Sequence, residues 1–319
     1  MAAAIIDIGS SSAVVQVVEA RERQPVVIAR HKVSLRLGAA LRDDGCIDED
    51  GQQRTDAAFA EFVALAERHQ APVLAVATEA MRRAANAEAI CDALRRRHGV
   101  RLQVIGGETE AALAFAGMRV LQPLGPLLGV DVGGGSTELV HGDGATLQAA
   151  VSLPLGAVTL TRQLGLDAEV RGATLAAAEA RVAELLLPVV GRFVGKSQAL
   201  VGASGSAQRL GRLVLARRGD ADAALHGARL MHEDLGWAIG AMASRDARAR
   251  QQLPGMDPER ADVLLAGALI LRATLAATGA RHLEVALSGI RTGLAAMALG
   301  LLPLVDGLSP AARAERSRD

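Results

Sequence analysis

The chain has 319 residues, with Lys+Arg 35 balancing Asp+Glu 35 and half of its residues hydrophobic, a length that suits two domains with large cores. That composition excludes a disordered chain, and zero net charge gives no global attraction to nucleic acid or to an anionic membrane. Four Phe, one Trp and no Tyr are too few for a base-stacking or sugar-stacking surface.

The start, Met1 to Asp7, lacks a basic segment and meets a carboxylate too early for a signal peptide. Ala4–Ile8 reads as a buried strand stopped by Gly9-Ser10-Ser11-Ser12, with Ala13–Val18 and Pro25–Leu37 as further strand segments. Asp56–His69 places Phe59, Phe62, Val63 and Ala66 on one helix face. A strand over Val73–Ala77, a helix over Glu88–His98 closed by Gly99, a strand over Leu102–Ile105 and a helix over Glu108–Val120 follow. Gln122-Pro-Leu-Gly-Pro126 reads as a linker. The opening pattern then recurs: strand Leu127–Val132, turn Gly133–Ser136, strand Thr137–His141, a hairpin at Gly142-Asp-Gly144 and a return strand Leu147–Leu153. Helices over Arg260–Thr278 and Arg291–Leu301 flank a strand at Leu283–Leu287, and the tail has no periodicity. The uncharged stretch Thr292–Val305 is too short to span a bilayer and contains Pro303. A soluble, cytoplasmic protein is expected.

Asp7-Ile-Gly-Ser-Ser-Ser12 and Asp131-Val-Gly-Gly-Gly-Ser-Thr137 each end a buried strand and open a hairpin. Two halves built alike imply a duplicated fold with a cleft between the copies. A glycine-rich turn lets successive N–H groups converge on an anion, and serine hydroxyls add donors. An Asp just before such a turn repels phosphate unless a divalent cation or an activated water intervenes. Asp7 and Asp131 therefore suit a phosphate chain with Mg2+; the plain structural reading, that the glycines only make hairpin turns, is weaker for two matched loops than for one.

Asp131-Val-Gly-Gly-Gly-Ser-Thr-Glu138 resembles the signature of the Ppx/GppA phosphatases, the exopolyphosphatases and guanosine-pentaphosphate phosphohydrolases of the actin, sugar-kinase and chaperone ATPase superfamily. Other blocks follow in order. Asp7-Ile-Gly-Ser-Ser-Ser12 is similar to the family's D-[IL]-G-S-N-[ST], with Ser11 for Asn. Ala77-Thr-Glu-Ala-Met-Arg82 resembles A-T-S-A-[LV]-R, with Glu79 for Ser, and Ile105 to Ala111 keeps the final Glu of its block, Glu110. Ser152-Leu-Pro-Leu-Gly-Ala-Val158, Val201 to Ala207, Arg260 to Ala268 and Gly289-Ile-Arg-Thr-Gly293 resemble later blocks, so the likeness runs from about Asp7 to Leu299.

The resemblance implies an α/β, duplicated actin-like (ribonuclease H-like) fold. Its domains would be 1–123 and 124–288, with a helix about 289–305 packing back on the first and a frayed tail at 306–319. It implies Glu110 as general base, Asp7, Asp131 and Glu138 as the metal or water positioners, and Mg2+ (or Mn2+) as cofactor. Gly9, Ser10, Ser11, Gly133, Gly134, Gly135, Ser136, Gly205 and Ser206 would cradle phosphates, and Arg82 and Arg291 would pair with their oxygens. The expected activity is removal of the terminal phosphate of polyphosphate as orthophosphate. Alternatives are the same chemistry on pppGpp, a catalytically weak phosphate-binding regulator, or a kinase or ATPase on the same scaffold. The partners expected are that substrate and a second copy in a homodimer. Because the chain ends soon after the matched core, short polyphosphate cut distributively is the expectation.

Three other features carry less. Gly191 to Ser197 nearly spells a P-loop but has three residues between its glycines instead of four, and it follows a helix. His226, His232, Glu233 and Asp234 read as a solvated polar surface, and Arg95-Arg-Arg97 as a solvated last helical turn. Cys46 and Cys91 read as incidental thiols.

Overall fold

The computed structural model describes residues 2–122 and 124–310. Among them, residues 2–120 with 290–310 form one compact unit and 121–289 the other.

The first unit opens with β1 (Ala2–Ile8), β2 (Ser12–Arg21) and β3 (Gln24–Ser34), joined as an antiparallel meander. The β2–β3 turn places Glu22 and Arg23 at φ 50 and 61, the left-handed pair that a two-residue hairpin turn demands. Then come α1 (Leu37–Ala40), α2 (Glu49–Arg68), β4 (Val73–Ala77), α3 (Glu79–Arg83), α4 (Ala87–His98), β5 (Leu102–Val104) and α5 (Gly107–Leu121). The sheet order is β3-β2-β1-β4-β5, with β4 parallel to both β1 and β5. β1 is buried on both faces. Ala4, Ile6 and Ile8 pack with Phe59 and Phe62 of α2, while Ala3 and Ile5 pack with Leu113 of α5 and Leu294 of the last helix, α12 (Ile290–Ala298). Each buried Ile, Leu or Phe side chain among these contributes about 1.5–3 kcal/mol.

The second unit holds β6 (Pro126–Val132), β7 (Thr137–Asp143), β8 (Thr146–Leu153), α6 (Ala157–Leu164), α7 (Ala173–Val190), β9 (Ala199–Gly202), α8 (Gly205–Arg217) and β10 (Arg229–Leu230). It continues with α9 (His232–Ala243), α10 (Ala247–Arg250), a 3-10 turn (Pro258–Arg260), α11 (Leu264–Thr278) and β11 (His282–Val285). Its sheet order, β10-β11-β9-β6-β7-β8, repeats the plan of the first from β8 to β11 and adds β10 at the edge. α11 is apolar nearly all round, as a helix buried in the middle of a unit must be.

Several elements differ from the sequence expectation. α2 starts at Glu49 instead of Asp56 because Asp48 caps it, accepting from Gly51 N at 2.7 Å. That polar first half has no apolar periodicity to reveal it. α8 and α9 occupy stretches not read as helices. Ser204 caps α8 by accepting from Ala207 N at 3.0 Å. Asp234, expected on a solvated surface, is buried at the start of α9, where it accepts from Met231 N and from Arg218 Nη2. The stretch expected as one helix from Arg260 begins as a 3-10 turn, because Pro258 and the Asp257 cap set a tighter start. Arg95, Arg96 and Arg97 are exposed in the last turn of α4, as expected, with Arg97 paired to Asp56 at 2.7 Å. Asp306 and Ser309, within the tail expected to fray, bond to Thr109 and Gln103, and residues 311–319 lie outside the described residues. Among the described residues no helix is long and apolar enough to cross a membrane.

Candidate active site

Both units build the same turn. In the first, Gly9 N–H closes on Ser12 C=O at 3.0 Å; in the second, Gly133 N–H closes on Ser136 C=O at 2.8 Å. The inner N–H groups, of Ser10 and Ser11 and of Gly134 and Gly135, form no hydrogen bond among the described residues. The carbonyls of each turn are held from behind. Ser10 O accepts from Gly38 N, and Ser11 O from Leu35 N and Arg36 N. Gly133 O accepts from Ala157 N, and Gly134 O from Val158 N and Thr159 N. Each turn is thus anchored through its acceptors, and its inner N–H groups are left in the arrangement that can receive an anion.

Side chains distinguish the two. In the first unit Asp7, next to last in β1, is 8% exposed and accepts from Arg291 Nη1 at 3.2 Å. Burial raises its pKa above the ordinary value, and Arg291 pulls it part of the way back. Arg82, on α3, donates through Nη1 to Ile105 O and to Glu110 Oε2, both at 2.9 Å. Glu110 sits in the first turn of α5, where the helix dipole favours a carboxylate, and is also 8% exposed. Ser10 Oγ donates to Glu79 Oε2 at 2.9 Å.

In the second unit Asp131 of β6 lies directly opposite Glu138 of β7. Directly opposed residues project to one side of the sheet, so two carboxylates share that face. Glu138 is 2% exposed and accepts from Ser152 Oγ at 2.7 Å. The position matching Glu138 in the first unit is Val14, opposite Asp7, so the paired acids belong to the second turn alone. Opposed like charges call for a cation, and a hard divalent ion uses one or two carboxylates completed by phosphate oxygens. Asp131 and Glu138 fit that demand. Among the described residues no group of three or more His, Cys, Asp or Glu could hold a metal by itself.

The α8 start holds the remaining candidates. Gly205 and Ser206 follow the Ser204 cap, and Ser206 Oγ donates to Val132 O at 3.3 Å. Arg209 donates to Gly205 O and ion-pairs with Asp257 at 2.5 Å.

A model of the Ppx/GppA phosphatase family matches residues 14–300. The chain belongs to that family. Exopolyphosphatase 1 of Mycobacterium tuberculosis is 32% identical over 299 residues, which cover 91% of this chain and 86% of that protein. A crystal structure of the Aquifex aeolicus Ppx/GppA family member is 26% identical with a TM-score of 0.78, covering 93% of this chain and 96% of that one. An exopolyphosphatase structure from Cytophaga hutchinsonii superposes with a TM-score of 0.87 over 95% of this chain and 99% of its own. At 20% identity that likeness speaks for the fold alone, an α/β fold whose two sheets repeat one plan, as the duplication in the sequence implies.

Three residues of this Ppx/GppA member escaped the sequence reading. Glu79 stood out only as a departure from the family pattern, yet it holds Ser10 and, through its other oxygen, Arg83 at 3.0 Å. Arg209 had a readable signal, since it follows the Ser204–Ser206 loop on what proves to be a helix. Ser288 had none: its hydroxyl is fully buried just before α12, without a hydrogen-bond partner among the described residues.

Proposed function

We propose that the chain hydrolyses the terminal phosphoanhydride of inorganic polyphosphate, with Mg2+ or Mn2+ as cofactor, releasing orthophosphate. The observation that carries this reading is the ion pair of half-buried Arg82 with buried Glu110, in the unit whose Ser10–Ser11 turn keeps free N–H donors. Arg82 ion-pairs with Glu110, and a phosphate oxygen can compete for the same guanidinium, leaving the carboxylate to take a proton from water. Glu110 accepts a proton from water, the water oxygen bonds to the terminal phosphorus, and the bridging P–O bond breaks with its electron pair on the shortened chain. Arg291, oriented by Asp7, neutralises a non-bridging oxygen. The turn amides bind phosphate oxygens through backbone donors. A divalent ion held by Asp131 and Glu138 would supply charge neutralisation to phosphate oxygens bound at the second unit's own turn. The mycobacterial relative's name supports polyphosphate as substrate. With net charge zero, distant phosphates of a long polymer gain little, since salt screens beyond about 10 Å, and short chains are the proposed substrates.

The test is phosphate release from tripolyphosphate, long-chain polyphosphate, pppGpp and ATP under Mg2+. Tripolyphosphate is expected to be cut fastest, and Glu110→Gln to lower that rate about 10²–10⁴-fold while binding persists. Faster turnover of pppGpp or ATP would overturn the substrate assignment, and more than a tenth of wild-type rate in Glu110→Gln would overturn the base.

A further inference from the structure

The two turns share a backbone but not a side-chain environment. Ser10 gives its hydroxyl hydrogen to Glu79, and a serine hydroxyl has only one to give. Both residues are 5% exposed, so the bond is sheltered from water. Glu79 is also the first residue of α3, three residues before Arg82, and Arg83 engages its second oxygen from a half-exposed position. An anion approaching the first turn therefore meets a serine whose proton is committed and, behind it, a buried carboxylate. Both effects weaken phosphate binding, one by withholding a donor and the other by like-charge repulsion in a poorly screened place.

We propose that Glu79, acting through Ser10, is a specificity-determining positioning residue that holds down the affinity of the first turn for phosphate. The turn binds through its backbone amides and releases product readily, because the Ser10 hydroxyl is diverted to Glu79. This rests on the phosphate-binding reading of that turn, though not on hydrolysis itself. A purely structural Glu79, one that merely pins the turn to α3, makes the opposite prediction: its removal would loosen the turn and weaken binding.

The sign of the affinity change decides between them. Orthophosphate binding to the full chain with Mg2+ is measured by calorimetry for wild type, Glu79→Ser and Glu79→Gln, alongside kcat and KM on tripolyphosphate. Glu79→Ser is expected to bind orthophosphate about tenfold tighter, what one recovered hydrogen bond to a charged group contributes. KM should fall with it while kcat does not rise. Adding Ser10→Ala to Glu79→Ser should abolish the gain. Glu79→Gln, which keeps an acceptor for Ser10 but drops the charge, should show a smaller gain and serves if Glu79→Ser does not fold. Unchanged or weaker binding in both single variants, or a gain that survives Ser10→Ala, overturns the proposal. An intact affinity shift without hydrolysis of any substrate would remove the hydrolase reading and leave this one standing.

Discussion

Replacing Gly156 by alanine sets one methyl group against the Gly133–Ser136 turn. Gly156 has φ −130 and ψ 160, an extended conformation open to any residue, so alanine brings no backbone strain there. The obstacle is contact. A Cβ at Gly156 would lie inside the 3.0 Å that real Cβ atoms do not breach, against the carbonyl of Gly134 and the carbonyl carbon of Gly135. All of these are backbone atoms, and none can rotate away. Behind Gly156, the N–H groups of Ala157, Val158 and Thr159 tie α6 to the same turn, so the two segments cannot part without breaking those bonds. The turn must withdraw by about 1 Å, a displacement that costs about 10²-fold in rate when it misplaces binding groups. That is about 2.7 kcal/mol of transition-state stabilisation, whereas overpacking of this kind lowers fold stability by about 1–3 kcal/mol, which most domains survive. The assay is kcat/KM for phosphate release from tripolyphosphate, with thermal unfolding of the same preparation. Gly240→Ala is the control: it lies in the exposed middle of α9 with open space at its Cβ, and alanine there should raise stability by up to about 1 kcal/mol without touching activity. Gly156→Ala activity within threefold of wild type would show that the turn's position does not matter to the chemistry.

Asp7 makes a pH-dependent prediction. Its folded pKa is raised by burial above the ordinary aspartate value of 3.8, so the stability it contributes is present below that value and is lost as pH rises through the folded pKa. Above that folded pKa the buried carboxylate must carry its charge, which is a net liability. With chelator present, Asp7→Asn should melt higher than wild type at pH 7, and the gap should close in acid; a lower melting temperature at pH 7 would refute this. Arg250 makes a structural prediction. Its fully buried guanidinium donates to the carbonyls of Met242, Leu166 and Ala168 at 2.7, 2.7 and 2.8 Å, joining three segments of the second unit. Arg250→Met should cost about 3–5 kcal/mol in chemical denaturation, since each buried carbonyl left unpaired costs about 1–3 kcal/mol before relaxation. A loss under about 1 kcal/mol would mean that water replaces the guanidinium.

The sequence by itself determined the parts of this protein that are local. Unbroken apolar runs marked β1 and β6, the Asp-x-Gly turns marked the strand ends, and their repetition announced the duplication. The α5 start at Gly106-Gly107 placed Glu110 in a first helical turn. Signals carried by single caps were fainter, which is why α2 was read too short and α8 and α9 were not read at all. Only the tertiary structure decided which side chains meet. Arg82 reaches Glu110 across 28 residues, Arg291 reaches Asp7 across 284, and Ser10 reaches Glu79 across 69. No helical or strand periodicity encodes such pairs, because they depend on which elements become neighbours in the folded sheet. The parallel β1–β4 pairing brings the first turn beside α3, and the return of the chain at α12 brings Arg291 beside β1. The same limit explains Glu79: its sequence marks it only as a carboxylate at a helix start, while its effect on phosphate depends on the one hydroxyl that the fold sets against it.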